Sequence, residues 1–330
     1  MNGNSTDVAA LPFRRHGFLL TALLLGVLFK PSFPAAGSPP DSLLRQLRSS
    51  IDLVLNHRYR AAEAPFRRMI VEHPDEPAGY LLLAYSLQGQ MVDAEDYSRM
   101  PEFEALIREC LGAVQRRKTR RPRDGWADFC AGYAQLYRAF ISYKTGHRWS
   151  SFRSAGKGVK LLRRALKSDS ALTEAGLGIG SFLYWKSAKL KMFKWLPFVH
   201  DNRREGIELV RKTAENGRVF GALARDELVR ILDNEKRYAA ALKLARANAR
   251  DYPESRFFRW TLANALLKAG LQEEASQAYQ KLAKQYRELP RGNRLNELNC
   301  LLRAPLRGKA KPMIKELMKV SNQAGKNLAN

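Results

Sequence analysis

The sequence predicts an all-α chain built as a solenoid of antiparallel helix pairs, and three observations lead there. Arg256 to Tyr286 reads as two amphipathic helices joined at Lys268-Ala269-Gly270, with apolar residues at helical spacing on each side. An offset of 34 residues returns the pattern: Leu262, Ala263 and Leu266 fall on Leu228, Val229 and Leu232, and Ala275, Tyr279 and Leu282 fall on Ala241, Ala245 and Asn248. Of 330 residues, 45% are hydrophobic and 27% charged, the balance of a globular chain with length enough for a large core. A lone amphipathic helix pair cannot hide its apolar face, so repeated pairs must stack on one another.

Taken in order, Arg14-Arg15-His16 precede an uncharged run, Gly17 to Phe29, that is too short to cross a bilayer comfortably as a lone helix. Small residues follow at Ala35-Ala36-Gly37 and offer a cleavage site, so residues 1–36 are expected to form a signal peptide and to send the protein to the periplasm or outside the cell. If the leader were retained, it would instead anchor the chain in an inner membrane. Residues 37–42 form a linker that ends in a helix-capping signal, residues 43–289 hold about six helix pairs with an insertion near 186–201, and residues 290–330 supply a capping helix and a basic tail.

Within the array, Ala62, Phe66 and Pro74 make one stripe of a second helix and its stop. Tyr80, Leu83, Ala84 and Leu87 then open the next pair, where the small Ala84 lets the partner helix approach. The spacing loosens after Met91, with a helix expected over Pro101 to Gln115 and a basic loop after it. Trp126, Phe129, Cys130 and Tyr133 begin another pair, and Gly158, Leu162 and Ala165 complete it. Gly176, Gly178 and Gly180 lie inside a helical pattern with no strand before them, so close helix packing explains them better than a nucleotide loop. Gly158 and Gly206 are 48 residues apart, so about 14 residues are inserted between them; the apolar, lysine-rich segment is either a membrane-surface helix or, as the spread of Lys186, Lys189, Lys191 and Lys194 around the wheel favours, a lengthened helix and ordered loop packed on the adjacent repeat.

These half-motifs, in their order and spacing, resemble the tetratricopeptide repeat (TPR) family, in the manner of an exported bacterial member. The glycine-rich helix with its insertion is also faintly similar to the TPR-39 proteins and their fungal inclusion-body-clearance relatives. The resemblance implies a right-handed superhelix whose concave groove binds peptides or protein surfaces, and it implies no catalysis. The Lys and Asn set with which some TPR proteins clamp a terminal carboxylate is incomplete.

Positions opposite the Leu/Ala packing stripe of each first helix are expected to face the groove. They are Tyr85 and Gln88, Ser181, Tyr184 and Trp185, Asp226 and Arg230, and Trp260 and Asn264. Aromatic and Arg side chains are common interface anchors, although the aromatic members could equally complete the core. The formal charge is +25, or +23 once the leader takes away Arg14, Arg15, Lys30 and Asp7, and this favours anionic partners or surfaces. The densest run is Arg116, Arg117, Lys118, Arg120, Arg121 and Arg123, which either binds an anionic surface or serves as a solvated turn. Cys110 and Cys130 flank that run at similar distances, leaving a disulfide or two buried thiols as alternatives. His57, His73, His147 and His200 are isolated from one another and from cysteine, so neither metal nor cofactor is expected. The leading reading is a non-catalytic scaffold of the cell envelope for a protein or peptide partner. The alternative is a peripheral envelope protein on anionic lipid or polysaccharide, and export disfavours nucleic acid.

Overall fold

The computed structural model describes residues 39–190, 200–289 and 293–304, all within the unit Ala36–Asn330. These residues form thirteen helices and no strand. In order they are α1 Asp41–Leu55, α2 Tyr59–Glu72, α3 Pro77–Ala94, α4 Met100–Arg120, α5 Gly125–Lys144, α6 Arg148–Ser168, α7 Ala175–Lys189, α8 Arg203–Asn216, α9 Gly221–Asn234, α10 Tyr238–Asp251, α11 Arg256–Lys268, α12 Gln272–Arg287 and α13 Arg294–Arg303. The leader, residues 191–199 of the insertion and the basic tail beyond residue 304 lie outside the described residues.

Each helix packs against its successor, and the odd-numbered helices α1, α3, α5, α7, α9 and α11 also touch the next of their own set. Two layers result, with the odd helices inside. Composition explains the sorting. In α3, residues Pro77 to Ala84 are buried without interruption, as are Gly125 to Ala134 in α5. The even helices bury only narrow stripes, such as Ala62, Phe66 and Met69 in α2 or Ala241, Leu242, Ala245 and Asn248 in α10. A helix that is apolar on most sides must be enclosed, whereas a striped one can face water on its back.

The turns repeat as well. His57, Gly146, Lys236 and Gly270 all adopt positive φ, at 58°, 86°, 59° and 80°. Each lies one residue before a backbone N–H that reaches back across the helix end, from Arg58 to Leu53 O, His147 to Ser142 O, Arg237 to Leu232 O and Leu271 to Leu266 O. Two of these positions are glycine, which adopts the conformation freely, while His57 and Lys236 carry its steric cost.

Two hairpins cross through glycine on both sides. A Cβ at Gly132 would meet Gly158 O at 3.1 Å, and one at Gly158 would meet Gly132 O at 2.8 Å. In the α7/α8 pair, a Cβ at Gly180 would fall 2.5 Å from Gly206 O and one at Gly206 would fall 2.7 Å from Gly180 O. The glycine-rich stretch of α7 thus packs against α8, and Gly178 is enclosed by Leu162 and Leu136.

The expected loop at the basic run is instead the last turns of α4, which continues to Arg120 rather than ending at Gln115. Asp124 holds the junction that follows: its Oδ1 accepts the Ala127 N–H at 2.9 Å, capping α5, and its Oδ2 accepts Arg117 Nε at 2.7 Å. Because the Asp124 side chain is fully buried, Asp124→Ala should cost about 2–4 kcal/mol through the lost cap and the stranded guanidinium. Urea denaturation measures this, and a loss below about 1 kcal/mol would show that Glu76 alone satisfies Arg117.

Candidate functional site

The inner helices do not leave an open channel along their whole length. At their N-terminal ends the space is filled by aromatic side chains, with Trp126 stacked on Phe129 at 5.0 Å and Tyr133 edge-on to Phe220 at 5.0 Å. Tyr133 donates to Glu174 O at 2.5 Å, and Glu174 Oε1 accepts the Arg218 and Val219 N–H groups at 2.6 and 3.0 Å. This ties the α8–α9 turn to α5. Toward the C-terminal ends of the same helices a cavity of about 790 Å3 remains, lined by residues of all six inner helices and of α13.

Six of the nine expected groove residues meet on that cavity: Tyr85, Gln88, Trp185, Arg230, Trp260 and Asn264. The other three are placed elsewhere. Tyr184 is fully buried, with its hydroxyl donating to Glu235 at 2.7 Å and accepting from Asn234 at 2.6 Å. Burial above all, with the Glu235 carboxylate adding to it, pushes the Tyr184 pKa up to about 12. Asp226 is fully buried beneath Arg230, and Ser181 is half-buried away from the cavity. A helical wheel marks the inner side of an odd helix but not which half of that side is plugged, and the aromatic plug comes partly from Phe220, at the α8–α9 turn.

The cavity wall combines aromatic faces with charges that are already paired. Arg230 forms ion pairs with Asp226 at 2.8 Å and Glu227 at 3.1 Å and lies over the Phe257 ring at 5.7 Å, yet 48% of its side chain faces open space. Burial raises the Asp226 carboxyl above its ordinary value, against the pull of Arg230. Trp185 Nε1 donates to Glu227 at 2.7 Å, so Trp185, Glu227, Arg230 and Asp226 form one chain of contacts. Arg303 lies over Trp260 at 5.6 Å and donates to Asn264 Oδ1 at 3.2 Å. Lys144 pairs with Glu95 and Lys268 with Asp233. Gln88 Oε1, on this wall, is buried with no hydrogen-bond partner.

One side of the cavity is closed by a seam between the first two hairpins and the last elements of the array. Asp93, at the end of α3, pairs with Arg256, at the start of α11, through both guanidinium Nε, at 3.1 Å, and Nη2. The Asp93 carbonyl oxygen accepts Asn293 Nδ2 at 2.6 Å and Asn296 Nδ2 at 3.1 Å. His57 Nε2 accepts the Arg256 N–H at 2.9 Å and presents Nδ1 to Tyr59 and Asp93. Tyr252 donates to Asp52 at 2.8 Å. Burial works against the Asp93 charge, but hydrogen bonds from His57 and Arg256 outweigh it and hold its pKa at about 2. No spacing rule pointed to this cluster, since Asp93 and Arg256 are 163 residues apart.

Several cations of the basic run are paired with acids of neighbouring elements, although Arg116 and Arg120 stay 46% and 71% exposed. Asp75 accepts Arg116 and Arg120, Glu76 and Asp124 hold Arg117, and Asp128 holds Lys118. Arg121 and Arg123 remain exposed. Arg117, Arg120 and Arg121 border a second cavity, of about 650 Å3, against α1 and the α2–α3 turn. Cys110, Cys130 and Cys300 are buried free thiols, so no disulfide joins Cys110 to Cys130, and burial raises the pKa of all three. Among the described residues no three His, Cys, Asp or Glu side chains gather as a metal site, and no helix is long and apolar enough to cross a membrane.

The fold and site define the class: an all-α array of antiparallel hairpins enclosing a cavity lined by its inner helices. No protein-family model matches the sequence. None of the curated proteins matches it either. Among solved structures, the chain is similar to TTC0263, a thermophilic TPR protein of Thermus thermophilus. That likeness has 17% identity and a TM-score of 0.43, and it covers 68% of this chain and 98% of that one.

Proposed function

We propose that the protein is a non-catalytic scaffold of the cell envelope that holds a short protein or peptide segment of a partner in the cavity of its inner helices. The observation that carries the reading is the convergence of Tyr85, Trp185, Trp260, Gln88, Asn264 and Arg230 on one space of about 790 Å3. That volume suits a few residues of an extended segment and excludes a folded domain. Aromatic walls supply apolar contact, and the half-exposed Arg230 guanidinium borders the same space. The leader-like sequence of residues 1–36 supports the envelope placement, which cell fractionation and N-terminal sequencing of the recovered chain would test.

The binding test uses a photo-crosslinking residue at position 88 in the full chain, with and without Trp260→Ala. Trp260→Ala is chosen because Arg230→Ala would strip the buried Asp226 of its charge partner and unsettle the fold. A crosslinked segment is expected in the parent chain and should fall about tenfold or more in the variant, the loss of one interface aromatic anchor. An undiminished crosslink in a folded Trp260→Ala chain would remove the cavity as the binding site.

A further inference from the structure

The end of α5, the start of α6 and the end of α7 together present large aromatic side chains to solvent. Trp149 is 70% exposed, Tyr143 55% and Phe152 52%. Single exposed apolar residues need no explanation, but these are joined into a patch. Trp149 stacks on Phe152 with centroids 6.2 Å apart, and Phe152 lies 6.2 Å from Phe182 on α7. Cations are interleaved with them: Arg153 lies over Trp149 at 5.9 Å and Lys189 over Tyr143 at 5.5 Å. Lys186 and Lys189 follow Phe182 along one stripe of α7.

Lys144, at the end of α5, pairs with Glu95, but the cations set directly among the rings are uncompensated. No Asp or Glu occurs from Phe129 to Ser168, nor from Ala175 to His200. Among the described residues Arg148, Arg153, Lys186 and Lys189 have no carboxylate partner. The exposed pair Trp149 and Phe152 begins just after the positive-φ turn at Gly146, so it stands at the tip of the α5/α6 hairpin rather than in a groove.

We propose that this hairpin tip docks on an anionic lipid surface, with Trp149 and Phe152 entering the headgroup layer and the cations around them meeting lipid phosphates. Aromatic rings among Lys and Arg are the side chains that settle at that depth, where apolar burial and electrostatic attraction add. An acidic polymer would be held by the cations but would leave protruding rings in water, and an acidic protein would need pockets to receive them. The site is independent of the cavity, and it does not include residues 191–199.

The test sediments the full chain with phosphatidylcholine vesicles, with and without phosphatidylglycerol. Binding that requires phosphatidylglycerol and declines with salt is expected, and Trp149→Ala with Phe152→Ala should weaken it at least about tenfold. Arg148→Gln with Arg153→Gln should also weaken it. These side chains are exposed, so unchanged thermal unfolding confirms that each variant is folded. A retained apolar leader would hold both vesicle types alike and would not respond to these changes. As a second readout, brominated lipid should quench Trp149 fluorescence, and Trp149→Phe should abolish that component. The proposal fails if phosphatidylglycerol adds no binding, if the double variants bind as the parent does, or if quenching survives Trp149→Phe. It also fails if soluble heparin or polyglutamate is bound while vesicles are not.

Discussion

Alanine at Gly180 is expected to lower unfolding free energy by about 2–3 kcal/mol, although the same change stabilises most helices. The α7 and α8 backbones meet where the new methyl would go, and Gly206 O stands 2.5 Å from its position. A carbonyl in an α-helix cannot swing aside as a side chain can, so the hairpin must open. Gly206→Ala meets Gly180 O at 2.7 Å and should behave alike. Gly156 in α6 is the matched control, since a Cβ there meets nothing within 4 Å. Gly156→Ala should raise stability by about 0.5–1 kcal/mol by reducing the freedom of the unfolded chain. Urea titrations of the three variants decide the matter. A neutral Gly180→Ala would mean that α7 and α8 have slack to part.

Asp93→Ala should cost about 3–5 kcal/mol, because it leaves Arg256, with only 13% of its side chain exposed, as a charge without its partner. The same residue makes the seam acid-sensitive. Its pKa is about 2 in the folded protein against an ordinary 3.8, so it contributes about 2 kcal/mol that is fully present above pH 3.8 and disappears as pH falls through 2. Asp93→Asn should therefore flatten the loss of stability across that acidic window, even though other carboxylates continue to titrate. Hydrogen exchange of the Arg256 amide, which is bonded to His57, should accelerate in either variant before exchange in α5 or α6 does. If the pH profile of Asp93→Asn superimposes on that of the parent, the ion pair has no share in closing the cavity.

Helical periodicity was enough to make the all-α array of hairpins legible, because a stripe such as Ala62, Phe66 and Met69 has one way to be buried. Glycine patterning made the close crossing of α7 readable for a related reason: Gly176 and Gly180, one turn apart, leave that flank of the helix without side chains. The cavity was half legible. Opposition to the packing stripe selected Tyr85, Gln88, Trp185, Arg230, Trp260 and Asn264, but it could not separate them from Tyr184, which sits in the core a single residue before Trp185. The acid partners of the basic run were not legible, since Asp75 and Glu76 stand 41 residues or more before the guanidinium groups they pair with.

By itself, then, the sequence determined the elements, their pairing into hairpins and the side of each inner helix that turns toward its fellows. These depend on residues within one or two turns of each other and on a repeat that holds them in phase. Only the tertiary structure decided where the space between the inner helices is filled and where it stays open, which cations are spent on acids, and that Asp93 and Arg256 close a seam. Those outcomes depend on the accumulated rotation from one hairpin to the next, which brings together residues that no local spacing relates.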